Sequence, residues 1–253
     1  MKPYYQDEFV TIYHGDCREI LPTLPKVDLL HTDPPYGIGE ANGKNKSRGQ
    51  LAQPKDYGCE DWDDKPVDMA LLQMAIDKAT HSIIFGGNYY PLPPSPCWLV
   101  WDKDNSGDFA DCELAWTNFT SAVRKYLWRW NGMLQEPGSP KEYRYHPTQK
   151  PTGLFGQILR DYSEVGQTIL DPFLGSGTTA VCAKKLQRHC IGIERNEKYC
   201  EIAARRCSQG VMNLNIIPEV KRTTSVFGPD VDYCGNYIYD TPAETEQKRE
   251  RLI

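Results

Sequence analysis

An acidic residue, two prolines and a tyrosine follow one another at Asp33-Pro34-Pro35-Tyr36, directly after the apolar run of residues 27–32. A short apolar run bounded by turn residues predicts a buried strand, and two prolines end such a strand at a rigid corner. A carboxylate and a fixed backbone carbonyl together accept two hydrogen bonds, the number that a planar amino group donates, and a neighbouring tyrosine ring can stack on the same plane. These residue types therefore indicate a site for an aromatic amine.

A glycine-rich turn with the sequence DPFLGSGT occupies residues 171–178, between a predicted strand at 167–171 and a predicted helix at 180–187. Its glycines let a helix N-terminus approach a ligand closely, and Glu194, at the end of the next predicted strand, can accept hydrogen bonds from a ribose. A dinucleotide fingerprint has a similar pattern. However, few residues follow for a complete dinucleotide fold, and Asp171 would repel a pyrophosphate but suits an ammonium group. S-adenosylmethionine is therefore the better ligand.

The sequence DPPY resembles the catalytic motif of the DNA methyltransferases that methylate adenine N6 or cytosine N4. Residues 171–177 resemble the cofactor motif of the same enzymes, and HPTQKP at residues 146–151 resembles the segment that precedes it. The order of the three motifs looks like that of the permuted β group, and the resemblance covers about residues 9–207. It implies an α/β fold of the Rossmann-like S-adenosylmethionine-dependent type, with a mostly parallel twisted sheet, a hairpin on the C-terminal side and helices on both faces.

The resemblance also implies roles for single residues. The expected catalytic residues are Asp33, Pro34, Pro35 and Tyr36. The expected cofactor-binding residues are Asp16, Asp33, Thr148, Lys150, Asp171, Phe173, Gly175, Ser176, Gly177, Thr178 and Glu194. Among these, Asp16 is expected near the cofactor's adenine, Glu194 at its ribose, and Thr148 and Lys150 at its carboxylate. Aspartate at the first motif position favours adenine over cytosine in this family, and cytosine N4 stays the alternative.

The elements that must position these motifs alternate between strands and helices. Strands are predicted at 9–13, 27–32, 81–87, 97–101, 112–116, 167–171 and 190–194, and helices at 16–21, 68–79, 180–187 and 197–207, with a further helix ending near Tyr162. The strand–helix–strand opening predicts that the first two strands are parallel neighbours. The strands at 97–101 and 112–116 predict a hairpin.

Two segments are candidates for DNA contact. Residues 40–66 follow the predicted catalytic corner and have almost no apolar periodicity, which indicates a mobile loop. Residues 118–145 interleave aromatic rings with cations, which suits base stacking and phosphate contact and predicts a small target-recognition insertion. The candidate residues are Lys44, Lys46, Arg48, Arg124, Lys125, Arg129, Lys141 and Arg144. The alternative interpretation is a solvated charged surface with ordinary packed aromatics, and the formal net charge of −5 mildly opposes a nucleic-acid partner.

Composition limits the remaining possibilities. The 253 residues predict a single methyltransferase domain, with residues 208–253 as a C-terminal extension of unassigned role. No apolar stretch approaches a membrane span and the N-terminus lacks a signal-peptide pattern, so we expect a soluble, cytoplasmic protein. Nine cysteines without a C-x-x-C pair predict reduced thiols and no metal site. The expected partner is double-stranded DNA, with a homodimer as the candidate assembly and restriction-modification as the candidate context.

Other functions fit the same residues less well. A DNA-binding subunit that has kept the fold but lost activity would not be expected to retain both motifs. Methyltransferases that act on RNA or on protein glutamine share the Pro-Pro-aromatic corner but not usually this motif order. Pro96-Cys97 resembles the nucleophilic motif of cytosine-C5 methyltransferases, but Cys97 begins an apolar strand and is better explained as a buried structural cysteine.

Overall fold

The structure is a computed structural model that describes residues 2–38, 65–104, 110–131, 134–139, 141–145 and 148–209. All of these residues belong to one unit, Met1–Val211. Most of the expected mobile loop at 40–66, most of the expected extension at 208–253, and His146 and Pro147 of the HPTQKP segment lie outside the described residues.

The strands of the described part of the chain are short and mostly apolar. They are β1 Tyr5–Gln6, β2 Val10–His14, β3 Val27–Thr32, β4 Ala79–Phe85, β5 Trp98–Asp102, β6 Cys112–Thr117, β7 Arg124–Leu127, β8 Trp130–Asn131, β9 Leu134–Gln135, β10 Thr168–Asp171 and β11 His189–Glu194.

The α-helices of the described part are α1 Cys17–Ile20, α2 Met69–Asp77, α3 Thr152–Tyr162, α4 Thr178–Lys185 and α5 Glu197–Ser208. Side-chain caps fix three of their starts. Asp16, Asp68 and Asn196 each accept a hydrogen bond from a backbone N–H in the first turn of α1, α2 and α5. Such caps satisfy donors that have no partner inside the helix.

Among the described residues, nine strands form one mixed sheet in the order β1-β2-β11-β10-β3-β4-β6-β5-β7, and β8 pairs with β9 separately. The central strands β2, β11, β10, β3 and β4 run parallel to one another, whereas β6 runs antiparallel to both of its neighbours. Central parallel strands are covered on both faces, which agrees with the nearly continuous burial of β3 and β10.

The two faces of the sheet have separate hydrophobic cores. Leu29, Ile83 and Ile169 pack with the buried residues of α3, α4 and α5. The next residue of each strand lies in the other core, together with α1 and α2. Successive side chains of a strand point to opposite faces, so each strand contributes to both cores. The predicted placement of helices on both faces is confirmed.

The carboxyl ends of the parallel strands meet at one edge of the sheet. From β10 the chain continues to α4 on one face, and from β3 it continues to α2 on the other face. Adjacent strands whose connections diverge leave a crevice at their carboxyl ends, which is where open α/β sheets bind ligands. Asp171 ends β10 and Asp33 follows β3, so both acids lie at this crevice.

Three sequence predictions need comment. The first two predicted strands are not neighbours, because β11 and β10 lie between β2 and β3. The predicted hairpin is formed by β5 and β6, in the middle of the chain. Residues 124–127 lie within the predicted recognition insertion at 118–145, but they form β7, which joins the edge of the main sheet beside β5.

Candidate active site

A cavity of about 940 Å³ lies at the carboxyl edge of the sheet. Residues of both sequence motifs line it, including Asp33 and Pro35 after β3, and Asp171, Gly175 and Glu194 around the glycine turn. Small-molecule sites in proteins usually occupy about 300–1,000 Å³. The cavity therefore has the size and the position of a ligand site, and the fold brings both motifs to it.

Both oxygens of the Asp33 carboxylate accept a hydrogen bond. Oδ1 accepts one from the hydroxyl of Tyr36, and Oδ2 accepts one from the ammonium of Lys150, whose Nζ lies at 2.6 Å. The Asp33 and Lys150 side chains are 20% and 8% exposed. An ionised carboxylate offers about four lone-pair positions. Asp33 can therefore accept a further hydrogen bond from a donor in the cavity.

A second carboxylate contacts the same ammonium. Glu113 in β6 lies 3.2 Å from Lys150 through Oε2 and 2.5 Å from Lys103 through Oε1. Burial raises the pKa of Asp33, and the charge of Lys150 opposes this shift. Burial alone would lower the pKa of Lys150, but Asp33 and Glu113 outweigh it and raise the pKa. Burial alone would raise the pKa of Glu113, and Lys150 and Lys103 hold it below its usual range.

The structure gives Lys150 two contacts that the sequence does not predict. Lys150 is expected to help hold the cofactor carboxylate, and it does line the cavity, as does Thr148. Its ammonium, however, contacts the two protein carboxylates Asp33 and Glu113. Neither the sequence spacing nor the motifs indicate Glu113, because β6 is remote in sequence from both motifs.

Tyr36 is held beside Asp33 by two further contacts. Its ring stacks on that of Tyr89, with centroids 5.0 Å apart and planes inclined by 14°. On Gly86, which has φ +64°, a Cβ would overlap the Tyr36 ring, so only glycine permits this approach. Tyr89, which the sequence analysis does not single out, is 49% exposed. One face of the Tyr36 ring is therefore covered by Tyr89.

The two prolines of the corner are held differently. Pro34 is buried, whereas Pro35 lines the cavity. The carbonyl of Pro35 accepts a hydrogen bond from the Tyr90 hydroxyl and another from the Val67 N–H at 3.2 Å. These bonds fix the corner through the Pro35 carbonyl. Pro34 is not among the residues that line the cavity, so the Pro34 carbonyl as second acceptor for an amine stays a prediction.

Asp171 connects the two motifs. Its Oδ1 accepts hydrogen bonds from the Thr32 hydroxyl at 2.8 Å and from the Phe173 N–H at 3.1 Å, and its Oδ2 accepts one from the Thr179 hydroxyl at 2.7 Å. Burial raises the pKa of Asp171 to about 6, although these hydrogen bonds act to lower it. The carboxylate therefore holds the turn to β3 as well as lining the cavity.

The glycine turn needs glycine at two positions for different reasons. Gly175 and Gly177 have φ values of +52° and +87°, a region that disfavours other residues. A Cβ on Gly177 would lie 2.7 Å from the Cβ of Ala203 in α5, whereas a Cβ on Gly175 would meet no atom within 4 Å. Gly177 therefore permits close packing of α5, and Gly175 leaves open space beside the turn. Phe173, Ser176 and Thr178 also line the cavity.

Glu194 and Asp16 lie at the other end of the cavity. Glu194 accepts hydrogen bonds from the N–H groups of Gly175 at 2.8 Å and Asn196 at 2.7 Å, one on each oxygen. Asp16 accepts two from Arg18, one from its N–H at 2.9 Å, which caps α1, and one from its guanidinium at 3.1 Å. Both carboxylates line the cavity.

Gln149 joins the expected recognition segment to the glycine turn. Its Oε1 accepts hydrogen bonds from the Tyr145 N–H at 2.9 Å and from the Ser176 hydroxyl at 3.2 Å. Its Nε2 donates to the Tyr143 carbonyl at 3.1 Å, and its backbone carbonyl accepts a hydrogen bond from the indole N–H of Trp130 at 3.0 Å. Gln149 belongs to the quoted HPTQKP segment, so that motif could have indicated it as a site residue.

The expected DNA-contacting residues lie on several parts of the surface. Arg124 and Lys125 are exposed on β7, where Lys125 lies 3.4 Å from Asp102. Arg129, just after β7, forms an ion pair with Asp104. Because β7 runs parallel to β5, and β5 runs parallel to β4 through β6, the end of β7 lies at the same edge of the sheet as the cavity.

The remaining candidates are partly accounted for. Lys141 is exposed, and the guanidinium of Arg144 lies 5.7 Å from the ring centre of Trp130. Lys44, Lys46 and Arg48 lie outside the described residues.

In the part of the chain that the structure describes, no group of three or more His, Cys, Asp or Glu side chains could hold a metal ion. Within the same residues, no helix has the length and apolar character needed to cross a bilayer.

Comparison with known proteins finds relatives among DNA methyltransferases. The DNA methylase model for N6- and N4-methylating enzymes matches residues 98–205. The Type II methyltransferase M.ScaI of Streptomyces caespitosus is 28% identical over 84% of this chain and 86% of its own length. M2.LlaDCHI of Lactococcus lactis subsp. cremoris is 27% identical over 83% of this chain and 93% of its own length.

A solved structure shares the fold. The PvuII DNA methyltransferase, described as cytosine-N4-specific, is 17% identical and covers 84% of this chain and 90% of its own, with a TM-score of 0.54. The family match and the relatives agree with a crevice that carries both motifs. Together they support an S-adenosylmethionine-dependent DNA methyltransferase that methylates adenine N6 or cytosine N4.

Proposed function

We propose that this enzyme transfers a methyl group to the exocyclic amine of a base extruded from double-stranded DNA, with adenine N6 as the preferred amine. The observation that carries the proposal is the shared cavity, which Asp33, Gly175 and Glu194 line together. An acceptor for an amine and a cofactor site at one crevice can bring the amine to the methyl donor directly. Transfer then needs no covalent intermediate on the enzyme.

The cavity residues fit S-adenosylmethionine. A Cβ on Gly175 would meet no atom within 4 Å, so the turn leaves space for a ligand. The carboxylates of Asp16, Asp171 and Glu194 put negative charge on the wall, which suits an ammonium and a sulfonium group and opposes a pyrophosphate. The Glu194 carboxylate suits ribose hydroxyls as hydrogen-bond donors, and the N–H groups of the first turn of α4 are donors for a carboxylate. When bound, S-adenosylmethionine supplies a methyl group activated by a positively charged sulfur.

Asp33 and the Pro34 carbonyl act on the target amine. The lone pair of an aromatic amine is delocalised into its ring, so attack requires the nitrogen to become more tetrahedral and more positive. Its N–H bonds then become more acidic. Hydrogen bonds from them to the Asp33 carboxylate and the Pro34 carbonyl strengthen more in the transition state than in the ground state, which lowers the barrier.

Tyr36 supports the extruded base. Extrusion costs a few kcal/mol, and stacking on an aromatic ring returns about 1–3 kcal/mol. Tyr89 covers one face of the Tyr36 ring and is itself half-exposed. Tyr36 and Tyr89 are not among the residues that line the cavity, so in this proposal the base takes the place that Tyr89 occupies on the Tyr36 ring. The hydroxyl of Tyr36 keeps donating to Asp33 and so orients the carboxylate.

Adenine is preferred because the resembling enzymes that carry aspartate at the first motif position lean towards adenine. The Asp33 carboxylate itself serves either amine, so cytosine N4 is the second candidate. The relatives are named Type II methyltransferases, which supports modification of duplex DNA at specific sites within a restriction-modification context. The exposed cations Arg124, Lys125 and Lys141 are the proposed phosphate contacts of the described residues.

One experiment tests the substrate class. The purified full chain is incubated with methyl-labelled S-adenosylmethionine and, separately, with duplex DNA, structured RNA and a protein mixture. We expect label in DNA alone, and nucleoside analysis of that DNA should show N6-methyladenine. N4-methylcytosine would support the second candidate, label in RNA or protein would contradict the proposal, and the absence of any transfer would indicate an inactive DNA-binding subunit.

A further inference from the structure

Four charged side chains form a chain that leads away from the catalytic corner. Lys150 Nζ lies 2.6 Å from Asp33 Oδ2 and 3.2 Å from Glu113 Oε2, and Lys103 Nζ lies 2.5 Å from Glu113 Oε1. The side chains of Lys150 and Lys103 are 8% and 16% exposed. Because water has little access to the Lys150 ammonium, its hydrogen bonds must go to protein carboxylates or to a bound ligand.

One oxygen of Glu113 is paired less closely than the other. Its Oε2 is buried and forms an ion pair with the Lys150 ammonium at 3.2 Å, but this contact does not have the geometry of a hydrogen bond. Its Oε1 is taken by Lys103. A buried carboxylate oxygen without a donor is unfavourable, so this oxygen is ready to receive an N–H of Lys150.

The sheet places Glu113 at the catalytic edge. Strand β6 runs antiparallel to β4, and Ala115 pairs with Phe85 at the end of β4. Glu113 precedes Ala115 in β6, so it extends past the carboxyl end of β4 on the side where Asp33 follows β3. Its position is therefore fixed by the strand pairing and not by a surface loop.

The proposed reaction gives a reason for the Lys150 ammonium to move from Asp33 to Glu113 Oε2. As the target nitrogen bonds the methyl carbon it gains positive charge, and an ammonium held on Asp33 would oppose that charge. Asp33 has a lone pair for the amine N–H with Lys150 in place, so it is this repulsion, and not a lack of acceptors, that favours release of the lysine. The repulsion falls if Lys150 gives up its hydrogen bond to Asp33 when the amine arrives.

We propose that Glu113 is a positioning residue for methyl transfer, which receives the Lys150 ammonium when the target amine takes its place on Asp33. One N–H of Lys150 moves from Asp33 Oδ2 to Glu113 Oε2, and no covalent bond or proton is exchanged in this step. The inference rests on the proposed function, because it requires that Asp33 binds the amine. Lys103 stays paired with the other oxygen of Glu113, so the charges of the network remain balanced.

The test uses Glu113→Gln in the full chain. The neutral amide of this variant cannot balance the charge of the ammonium, so Lys150 stays on Asp33. The single-turnover rate of DNA methylation should then fall about 10- to 100-fold, the range of coupling within one ion-pair network. The Kd for S-adenosylmethionine, measured by calorimetry, should change by less than about twofold. Glu201→Gln, an exposed site on α5, is the matched control and should keep the wild-type rate.

A double-mutant cycle separates this role from a merely structural one. In a Lys150→Met background there is no ammonium to receive, so adding Glu113→Gln should lower the rate by less than about twofold. Independent multiplication of the two losses would overturn the proposal, as would a wild-type rate for Glu113→Gln. If Glu113→Gln does not fold, Glu113→Asp decides: a reduced rate with unchanged cofactor affinity supports the role, and a wild-type rate overturns it. A wild-type enzyme that methylates no DNA amine would instead contradict the proposed function itself.

Discussion

The hydroxyl of Thr32 donates a 2.8 Å hydrogen bond to the carboxylate of Asp171. Thr32 ends β3 and immediately precedes Asp33, while Asp171 ends β10 and begins the glycine turn. This bond therefore ties the proposed amine site to the proposed cofactor site at the crevice between the two strands. Both residues are buried, with exposed fractions of 0% and 3%.

Asp171→Asn should change how stability depends on pH. Burial raises the pKa of Asp171 to about 6, so between about pH 4 and pH 6 the folded state binds a proton that the unfolded state has lost. Asp171 should therefore contribute about 2 kcal/mol more to the unfolding free energy at pH 4 than at pH 7, and the asparagine variant lacks this contribution.

Urea unfolding at pH 4 and pH 7 measures this difference. The variant should gain stability relative to the wild type as the pH rises. Asp77→Asn, an exposed change on α2, is the control and should follow the wild type. A constant difference between Asp171→Asn and the wild type across this range would contradict the assignment.

The glycine turn should respond differently at its two glycines. In Gly175→Ala the only cost is that of holding alanine in the left-handed backbone conformation, so we expect a loss of about 1–2 kcal/mol in unfolding free energy. Gly177→Ala adds the 2.7 Å contact with Ala203, so we expect about 2–4 kcal/mol. Gly156→Ala in α3 meets no atom within 4 Å and should be neutral or stabilising by up to about 1 kcal/mol.

Chemical denaturation of the three variants gives the order directly. An equal effect at Gly175 and Gly177 would mean that the close approach of α5 does not determine the requirement for glycine.

Tyr36 has two separable contributions in the proposed mechanism. Tyr36→Phe removes the hydroxyl that donates to Asp33 but keeps the ring, so the methylation rate should fall about tenfold while base extrusion is unchanged. Tyr36→Ala also removes the ring, and extrusion should weaken by about 1–3 kcal/mol. Fluorescence of 2-aminopurine at the target position reports extrusion, and single-turnover methylation reports the rate. Loss of extrusion in Tyr36→Phe would contradict this division of roles.

The sequence predicts the site better than the order of the strands. Asp33, Asp171 and Glu194 each follow or end a predicted strand, and parallel strands present their carboxyl ends at one edge, so their meeting at one cavity follows from the pattern. The insertion of β10 and β11 between β2 and β3 does not follow from it, since strand order depends on contacts between segments far apart in the chain. The homodimer, the assigned roles of the site residues and the target base remain predictions.

Three local features could not be predicted from the sequence patterns. Residues 124–127 have no clean alternation of apolar and polar side chains, because in this edge strand only Tyr126 is buried, so β7 is not evident. The network of Glu113 with Lys150 joins β6 to the segment before α3, and nothing in the local composition of either segment indicates the other. The stacking of Tyr89 on Tyr36 likewise joins two segments whose local composition does not indicate each other.

In the proposed mechanism, Asp33 accepts a hydrogen bond from the amine during transfer and contributes little to cofactor binding. The most direct test is Asp33→Ala in the full chain, with N6-methyladenine formation in duplex DNA and the Kd for S-adenosylmethionine measured on the same preparation, and Asp77→Ala as the control. We predict that methylation by Asp33→Ala falls by at least about 100-fold while its affinity for S-adenosylmethionine changes by less than about threefold. Near-normal methylation by Asp33→Ala would contradict it.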